Sequence, residues 1–379
     1  MSYCANSTPS HSMKTQLQTK TRLHKLALVA VKSTLITVKS ALIAVKSTLI
    51  TVKSALIAVK STLITIRTTL FAVRTALLAQ VIILLAGAMT SSWVSAATFE
   101  LPPTESRIVG RIQQHEVAAG ETLAIIAKQY DIGFLSLMAA NKGVDPFLPA
   151  EGYVLSIPSR LILPDTPRKG IVINLAELRL YYFEPEKNQV HVFPVGIGRV
   201  GRDTPEMITK ISQKRPNPTW TPPNSIRKEY LEKGIELPRV VPAGPENPLG
   251  EYALRLAYGA GDYLIHGTNK DFGIGLRVSS GCIRMEPKDI EWLFEQVNRG
   301  EQVTIIDEPI KVSLEPDRSV FVEAHEPLTR SDGSKKLLQI PVELKWWLED
   351  ADLPNSKAKA VIFAQNGVPV EIAPPVIEF

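Results

Sequence analysis

No aspartate or glutamate occurs before Glu100, whereas eleven lysines and arginines lie between Lys14 and Arg74. The basic stretch leads into an uncharged apolar run from Ala76 to Met89. Small residues then flank a cleavage point after Ala96 in Ser92-Trp93-Val94-Ser95-Ala96-Ala97. These are the three parts of a secretory signal, which predicts export to the periplasm. The apolar run has fourteen residues, short of the roughly 20 a membrane span needs. Cleavage is therefore expected. An uncleaved membrane anchor is the alternative, because the upstream repeats are also apolar.

That leader, residues 1–96, contains a tandem repeat in which a basic residue recurs every seven positions: Lys32, Lys39, Lys46, Lys53, Lys60, Arg67, Arg74. A heptad period fits a helix with a basic stripe, for a membrane surface or self-association. It equally fits a duplicated segment selected only for positive charge. The whole chain has 43 basic and 38 acidic residues; without the leader's eleven, 32 face 38, a formal charge of −6. The excess of positive charge thus belongs to the leader and gives no reason to expect nucleic-acid binding. The remaining 283 residues suffice for two or three small domains.

Of the two cysteines, Cys4 lies in the leader. The mature chain would then carry Cys282 alone, and no internal disulfide could form. A thiol kept in an exported protein is exposed to oxidation; one reason to keep it is thiolate chemistry. Cys282 sits in Ser279-Ser280-Gly281-Cys282-Ile283-Arg284, and His266 lies sixteen residues upstream in Ile265-His266-Gly267-Thr268. A histidine within reach can take the thiol proton to give a thiolate–imidazolium pair. Gly281 permits a tight turn whose backbone N–H groups could hold an oxyanion. A buried structural cysteine beside a core histidine is the competing interpretation.

The mature chain is expected to be α+β and mainly β. Residues 97–111 read as a linker, with Pro102 and Pro103 and no periodic apolar pattern. Residues 112–158 read as strand, helix, helix, strand. The helices are Leu123 to Tyr130, capped by Thr122, and Gly133 to Asn141. From 170 to 306 most segments read as strands, including a hairpin of Ile171–Asn174 and Leu178–Phe183. Two proline-rich stretches, Arg215 to Pro223 with Trp220 and Val241 to Gly250, read as substrate-facing loops, and their prolines argue against central strands. Pro287 to Gln296 reads as an amphipathic helix and Gln302 to Ile306 as a closing strand. The extension 307–379 carries strand-like segments at Ser319–Glu323 and Val361–Phe363.

The 112–158 segment resembles a LysM module in Val117, Gly120, Thr122, Leu123, Ile126, Ala127, Tyr130, Ala140-Asn141, Asp145, Pro149, Gly152 and Ile157-Pro158. Glu121 stands where the common pattern has Asp. The resemblance implies binding of N-acetylglucosamine-containing glycan, with Gly120, Thr122 and Asn141 as contacts.

The segment 170–306 resembles the L,D-transpeptidase (YkuD-type) family. The likeness lies in His266-Gly267-Thr268 and Ser279-Ser280-Gly281-Cys282-Ile283-Arg284, together with Thr204-Pro205-Glu206, Asn247-Pro248-Leu249-Gly250 and Gly273-Ile274-Gly275. Ser280 replaces a second histidine found in many members, as in the enterobacterial-type subgroup. The resemblance implies that Cys282 is the nucleophile, that His266 is the base and that the Gly267 carbonyl orients the imidazole. It implies an oxyanion hole at Gly281 and Cys282, and Ser279 and Arg284 holding the loop or substrate. Thr268, Ser280 and Trp220 are expected to contact substrate. The implied reaction attacks the L-centre carbonyl of diaminopimelate in a peptidoglycan tetrapeptide stem, releases D-alanine and passes the acyl group to an amine.

Acceptors left open are the terminal lysine of an outer-membrane lipoprotein, a second diaminopimelate, or water, which would make a carboxypeptidase. The pairing of LysM and C-terminal extension leans towards the lipoprotein. A catalytically inactive wall anchor is the remaining alternative. His115, His191 and His325 show no metal-ligand spacing, so neither a metal nor another cofactor is expected.

Overall fold

Ile171-Val172-Ile173 and Leu180-Tyr181-Tyr182-Phe183 are apolar on both faces of their strands, a pattern that must be covered on two sides. Both become the buried middle of a nine-stranded sheet. The structure is a computed structural model describing residues 97–259, 263–270, 272–349 and 356–374, with Thr48. The leader, its heptad repeat and the expected cleavage point lie outside the described residues.

In chain order the elements open with β1 (Ala97–Glu100), β2 (Ile108–Gly110) and β3 (Gln113–Glu116). Helices α1 (Leu123–Gln129) and α2 (Phe134–Ala140) come next, then β4 (Val154–Ile157) and β5 (Arg160–Ile162). After them lie β6 (Gly170–Asn174), β7 (Arg179–Glu184), β8 (Gln189–Pro194), β9 (Ile197–Gly198) and β10 (Met207–Pro216). Helix α3 (Asn224–Glu232) precedes β11 (Tyr252–Leu256), β12 (Leu264–His266), β13 (Arg277–Ser279) and β14 (Ile283–Arg284). Then come α4 (Pro287–Gln296) and β15 (Gln302–Ile306). The last elements are β16 (Ile310–Leu314), β17 (Val320–Ala324), α5 (Val342–Glu349), α6 (Ser356–Ala364) and β18 (Val370–Ala373).

The first small module is the β3–α1–α2–β4 unit. Thr122 Oγ1 accepts the Ile125 N–H at 3.3 Å and starts α1, satisfying one of the donors that a helix leaves open. Val117, Leu123, Ile126, Leu137, Leu155 and Ile157 close its apolar core. Glu121 reaches further than an aspartate would. It bonds His115 Nε2 at 2.9 Å and takes the Ala118 N–H at 2.8 Å, bracing the turn before the helix.

The stretch expected to be a linker is built into the fold. β1 pairs antiparallel with β8, placing Phe99 against Val190, and β2 pairs with β5. The pairing partners are distant in sequence, so no local pattern announces them.

The large sheet runs β1-β8-β7-β6-β15-β10-β11-β12-β14. Only β6–β15 and β12–β14 are parallel. Past β8 the chain continues to Gly196, which exchanges two 2.8 Å backbone bonds with Arg284 of β14. The sheet thereby curls until its last strand meets the continuation of its second, around a core that includes Phe193, Leu254, Ile265, Met285 and Leu293. Arg215 and Pro216, placed by sequence in an irregular loop, instead end β10, opposite Ala253 and Tyr252. Proline is tolerated there because β15 pairs only as far as Lys210, so this end of β10 has β11 as its one sheet neighbour.

The C-terminal unit folds β16-β17-β18 into a sheet packed on α6. Val361–Phe363 is helix rather than strand. Ala358, Val361 and Ile362 face the core at helical spacing, and that burial outweighs the β-leaning composition. Among the described residues no single helix is long and apolar enough to cross a membrane.

Candidate active site

Parallel pairing of β12 with β14 sets Ile265 beside Ile283 and His266 beside Arg284. Cys282 is the residue just ahead of that pairing, so the fold brings thiol and imidazole to adjacent strands. The His266 carbonyl accepts the Met285 N–H at 2.9 Å, fixing the two strand ends together. Cys282 is a partly exposed thiol.

The turn before Cys282 is held by side chains. Ser279 Oγ donates to the Cys282 carbonyl at 2.6 Å and accepts the Gly281 N–H at 3.1 Å. The Gly281 N–H, expected to face an oxyanion, is thus given to Ser279, and the Gly281–Cys282 peptide unit supplies the other candidate donor. Gly281 has φ +109°, a region that disfavours any side chain, and a Cβ there would lie 3.2 Å from the Tyr263 ring. Ser280 is exposed beside the thiol.

His266 is buried, and its Nδ1 lies 2.6 Å from the Gly267 carbonyl. A carbonyl can only accept, so the proton sits on Nδ1 in the neutral ring and Nε2 carries the lone pair. Burial first, and the Arg284 charge second, push the His266 pKa down to about 4, against the raising effect of the Gly267 and Leu249 carbonyls. The resting imidazolium suggested by the motif is therefore disfavoured, and the ring rests neutral. Leu249 is itself positioned by Asn247, fully buried, whose Oδ1 takes the Leu249 N–H at 2.9 Å while its Nδ2 donates to Pro218 and Pro242 carbonyls at 2.8 and 3.0 Å. Asn247 so clamps the two proline-rich loops, which also exchange backbone bonds between Trp220 and Val241. Arg284 is mostly buried; burial lowers its pKa, while Cys282 and Tyr230 raise it.

Two expected contacts are placed otherwise. Thr268 is buried, and its hydroxyl accepts the Lys270 N–H at 3.0 Å, so it shapes the loop after His266. Asn141 is buried too. Its amide donates to the Leu137 and Ser156 carbonyls at 2.9 and 2.8 Å and accepts the Ser156 N–H at 2.8 Å, tying α2 to β4. Gly120, at φ +81°, and Thr122 occupy the turn before α1, in the small module. Neither Thr204 nor Asn247 stands out as a site residue in sequence, although both lie in segments carrying the family likeness; neither is titratable, and only long-range contacts reveal their use.

Two cavities of about 470 Å³ border the small module, one reaching Arg179 and Pro194, the other His325 and Arg277. Neither is lined by Cys282 or His266. Glu177, Glu323 and His325 bring three donor atoms within 4.8 Å of one another. Lys311 Nζ already stands 2.8 Å from Glu177 and 3.2 Å from Glu323, which makes the cluster an ion-pair network.

Comparison with known proteins agrees with this architecture. Residues 168–305 match the YkuD L,D-transpeptidase catalytic domain, residues 309–372 the L,D-transpeptidase C-terminal domain, and residues 115–158 the LysM domain. The chain belongs to the L,D-transpeptidase family. It is 51% identical over 283 residues to the probable L,D-transpeptidase YcfS of Escherichia coli, covering 73% of this chain and 88% of that protein. It is 46% identical over 289 residues to the probable L,D-transpeptidase ErfK/SrfK of the same organism, covering 73% and 91%. An L,D-transpeptidase crystal structure from Mycobacterium tuberculosis is 20% identical with a TM-score of 0.27, over 42% of this chain and 64% of that one.

Proposed function

We propose that the protein is exported and acts on peptidoglycan in the periplasm, with Cys282 as nucleophile. The carrying observation is the His266 environment: a buried, neutral imidazole with its Nδ1 proton held by Gly267, on the strand beside the thiol. His266 Nε2 takes the thiol proton as sulfur attacks the L-centre carbonyl of diaminopimelate in a tetrapeptide stem. The C–S bond forms and the carbonyl π pair moves onto oxygen. Collapse of that oxyanion breaks the C–N bond, and His266 returns its proton to the leaving D-alanine amine. An acceptor amine then attacks the thioester and gives a proton to His266; the new C–N bond forms, the C–S bond breaks, and the thiolate leaves. Arg284, whose charge attracts that of Cys282, favours the thiolate at both ends of the cycle. The LysM module holds glycan while the stem reaches the turn. Its α2 end packs directly on the catalytic domain, with the Leu135 N–H on the Gly275 carbonyl at 3.4 Å.

For the acceptor we propose the side-chain amine of a lysine-ended lipoprotein, on the combination of LysM and C-terminal domains. Incubating mature protein with purified tetrapeptide muropeptides and a lysine-ended peptide, followed by mass spectrometry, tests both parts. D-Alanine loss with a peptide adduct is expected, and neither should occur with Cys282→Ala. A 3→3 crosslink or plain tripeptide would replace the acceptor. Full turnover by Cys282→Ala would remove the nucleophile assignment.

A further inference from the structure

Three consecutive peptide units lead through the Cys282 turn, and each has one polar atom bonded to a side chain. Ser279, inside the turn, takes the first and third through the Gly281 N–H and the Cys282 carbonyl. The middle unit, Gly281–Cys282, is held from outside. Thr204 Oγ1 lies 2.9 Å from the Gly281 carbonyl and 3.0 Å from the Gly198 N–H. Its proton has one destination. The Gly198 amide is a donor and the Gly281 carbonyl an acceptor, so the hydroxyl accepts from the first and donates to the second.

We infer that Thr204 is a positioning residue for catalysis, fixing the Gly281–Cys282 peptide plane so that the Cys282 N–H keeps one direction towards the carbonyl under attack. The inference rests on Cys282 being the nucleophile. A peptide unit is planar and trans, so anchoring its carbonyl oxygen also aims its N–H the opposite way. That plane turns about ψ of Gly281, and a residue with no Cβ sets little steric barrier to that rotation. An external anchor therefore matters more at Gly281 than it would elsewhere. Thr204 is suited to serve. It is buried, its β-branched side chain has few rotamers, and Pro205 confines its backbone to extended conformations. The loop beneath it leaves no slack: a Cβ on Gly198 would lie 2.2 Å from the Arg202 carbonyl oxygen. Thr204 commits its hydroxyl to two backbone groups, and its effect passes through the turn.

The test compares two reactions of the same thiol. Acylation by a carbapenem develops an oxyanion; alkylation by iodoacetamide does not. Thr204→Val keeps the shape and removes the hydroxyl. Carbapenem acylation and kcat on soluble muropeptide should fall about tenfold to a hundredfold, below the loss from deleting an oxyanion donor outright. KM and the alkylation rate should stay within about threefold, and Thr204→Ser should restore most of the acylation rate. Measurements are made well below each variant's Tm, and Thr204→Ala serves if the valine variant does not fold. Equal loss in both reactions, acylation within about threefold of wild type, or a serine variant as slow as valine would each overturn the inference. Mapping the adduct by mass separates this from the underlying assignment: an adduct away from Cys282 removes the nucleophile, whereas a Cys282 adduct formed at an unchanged rate removes only Thr204.

Discussion

Beneath the C-terminal domain, Glu177, Arg179, Lys311 and Glu323 are sealed from solvent as thoroughly as His266 is at the catalytic turn. The surroundings differ. The first group balances two carboxylates with two cations. Arg179 Nη1 reaches Glu177 at 2.8 Å and Glu323 at 3.1 Å, Lys311 joins both, and the Tyr181 hydroxyl adds a 2.6 Å bond to Glu177. Burial alone would push the Glu323 pKa up, yet Lys311, His325 and Arg179 together hold it well below the usual carboxylate range. For His266, burial and the neighbouring Arg284 act in the same direction, and the Gly267 and Leu249 carbonyls offset them only in part. A balanced buried cluster is structural, joining β7 to β16 and β17. An unbalanced one, beside the thiol we propose as nucleophile, is suited to set a proton affinity for chemistry.

The sharpest way to break this contrast is to delete one member of each region. His266→Ala should slow acylation roughly 10² to 10⁴-fold, the usual cost of a lost general base, with little change in Tm. His115→Ala and His191→Ala should leave acylation intact, since those rings are engaged with Glu121 and Glu184. Lys311→Ala should do the reverse. Removing one partner of a buried ion cluster costs about 3–5 kcal/mol, a drop in Tm of about 10 °C for a unit of this size. Rates on soluble muropeptide at about 20 °C should stay within about twofold, because the cluster touches no reacting atom. A rate loss with unchanged Tm in Lys311→Ala would dissolve the distinction between the regions.

A smaller effect concerns pH. A histidine whose folded pKa is lowered to about 4 stays a competent base from the ordinary value near 6.5 down to about 4. The acid limb of kcat/KM for acylation should therefore fall only as pH drops through about 4. Replacing Arg284 with Gln removes the second cause of the lowering and should move that limb upward, though not as far as about 6.5, because burial remains. An acid limb already near 6.5 in the wild-type protein would show that the site compensates the charge after all.

These two regions also differ in how far the sequence discloses them. Cys282 and His266 lie sixteen residues apart in glycine-bearing segments, and one short crossover between parallel strands suffices to bring them together. The α4 helix and β15 have the bounds their local patterns predict: proline opens one, and an apolar run defines the other. Glu177, Lys311 and Glu323 look like ordinary surface charges in sequence. The Glu177–Lys311 bond spans 134 positions, so only the assembled fold makes it visible. The same holds for Thr204, 77 positions from the carbonyl it anchors. It holds again for β1, whose partner strand starts at Gln189. Val361–Phe363 fails for another reason: its β-branched and aromatic residues point to strand locally, and helical packing decides otherwise.

Asp289 is the intermediate case, and it tests whether imbalance alone marks chemistry. It is buried in the first turn of α4, and its Oδ2 has no hydrogen-bond partner. A helix N-terminus ordinarily favours a carboxylate. Here burial first, then Asp131 and Glu286, outweigh Lys288 and raise the pKa to about 7. Between the unfolded value near 3.9 and about 7, the folded state holds a proton that the unfolded state has lost. Stability therefore falls as pH rises through that window and stays reduced above it. Asparagine mimics the protonated acid and does not titrate. Asp289→Asn should gain on wild type between about pH 5 and about pH 8, its relative stability growing by on the order of 3 kcal/mol, a relative Tm gain of several degrees. Acylation should stay within about threefold, because Asp289 belongs to the contact with Asp131 and Lys288 of the LysM boundary and touches no reacting atom. Thermal melts at the two pH values decide the matter. Equal Tm differences at both would mean that Lys288 or a neighbour balances the charge. A large rate change at unaltered stability would instead place Asp289 with His266, among the groups whose imbalance is used.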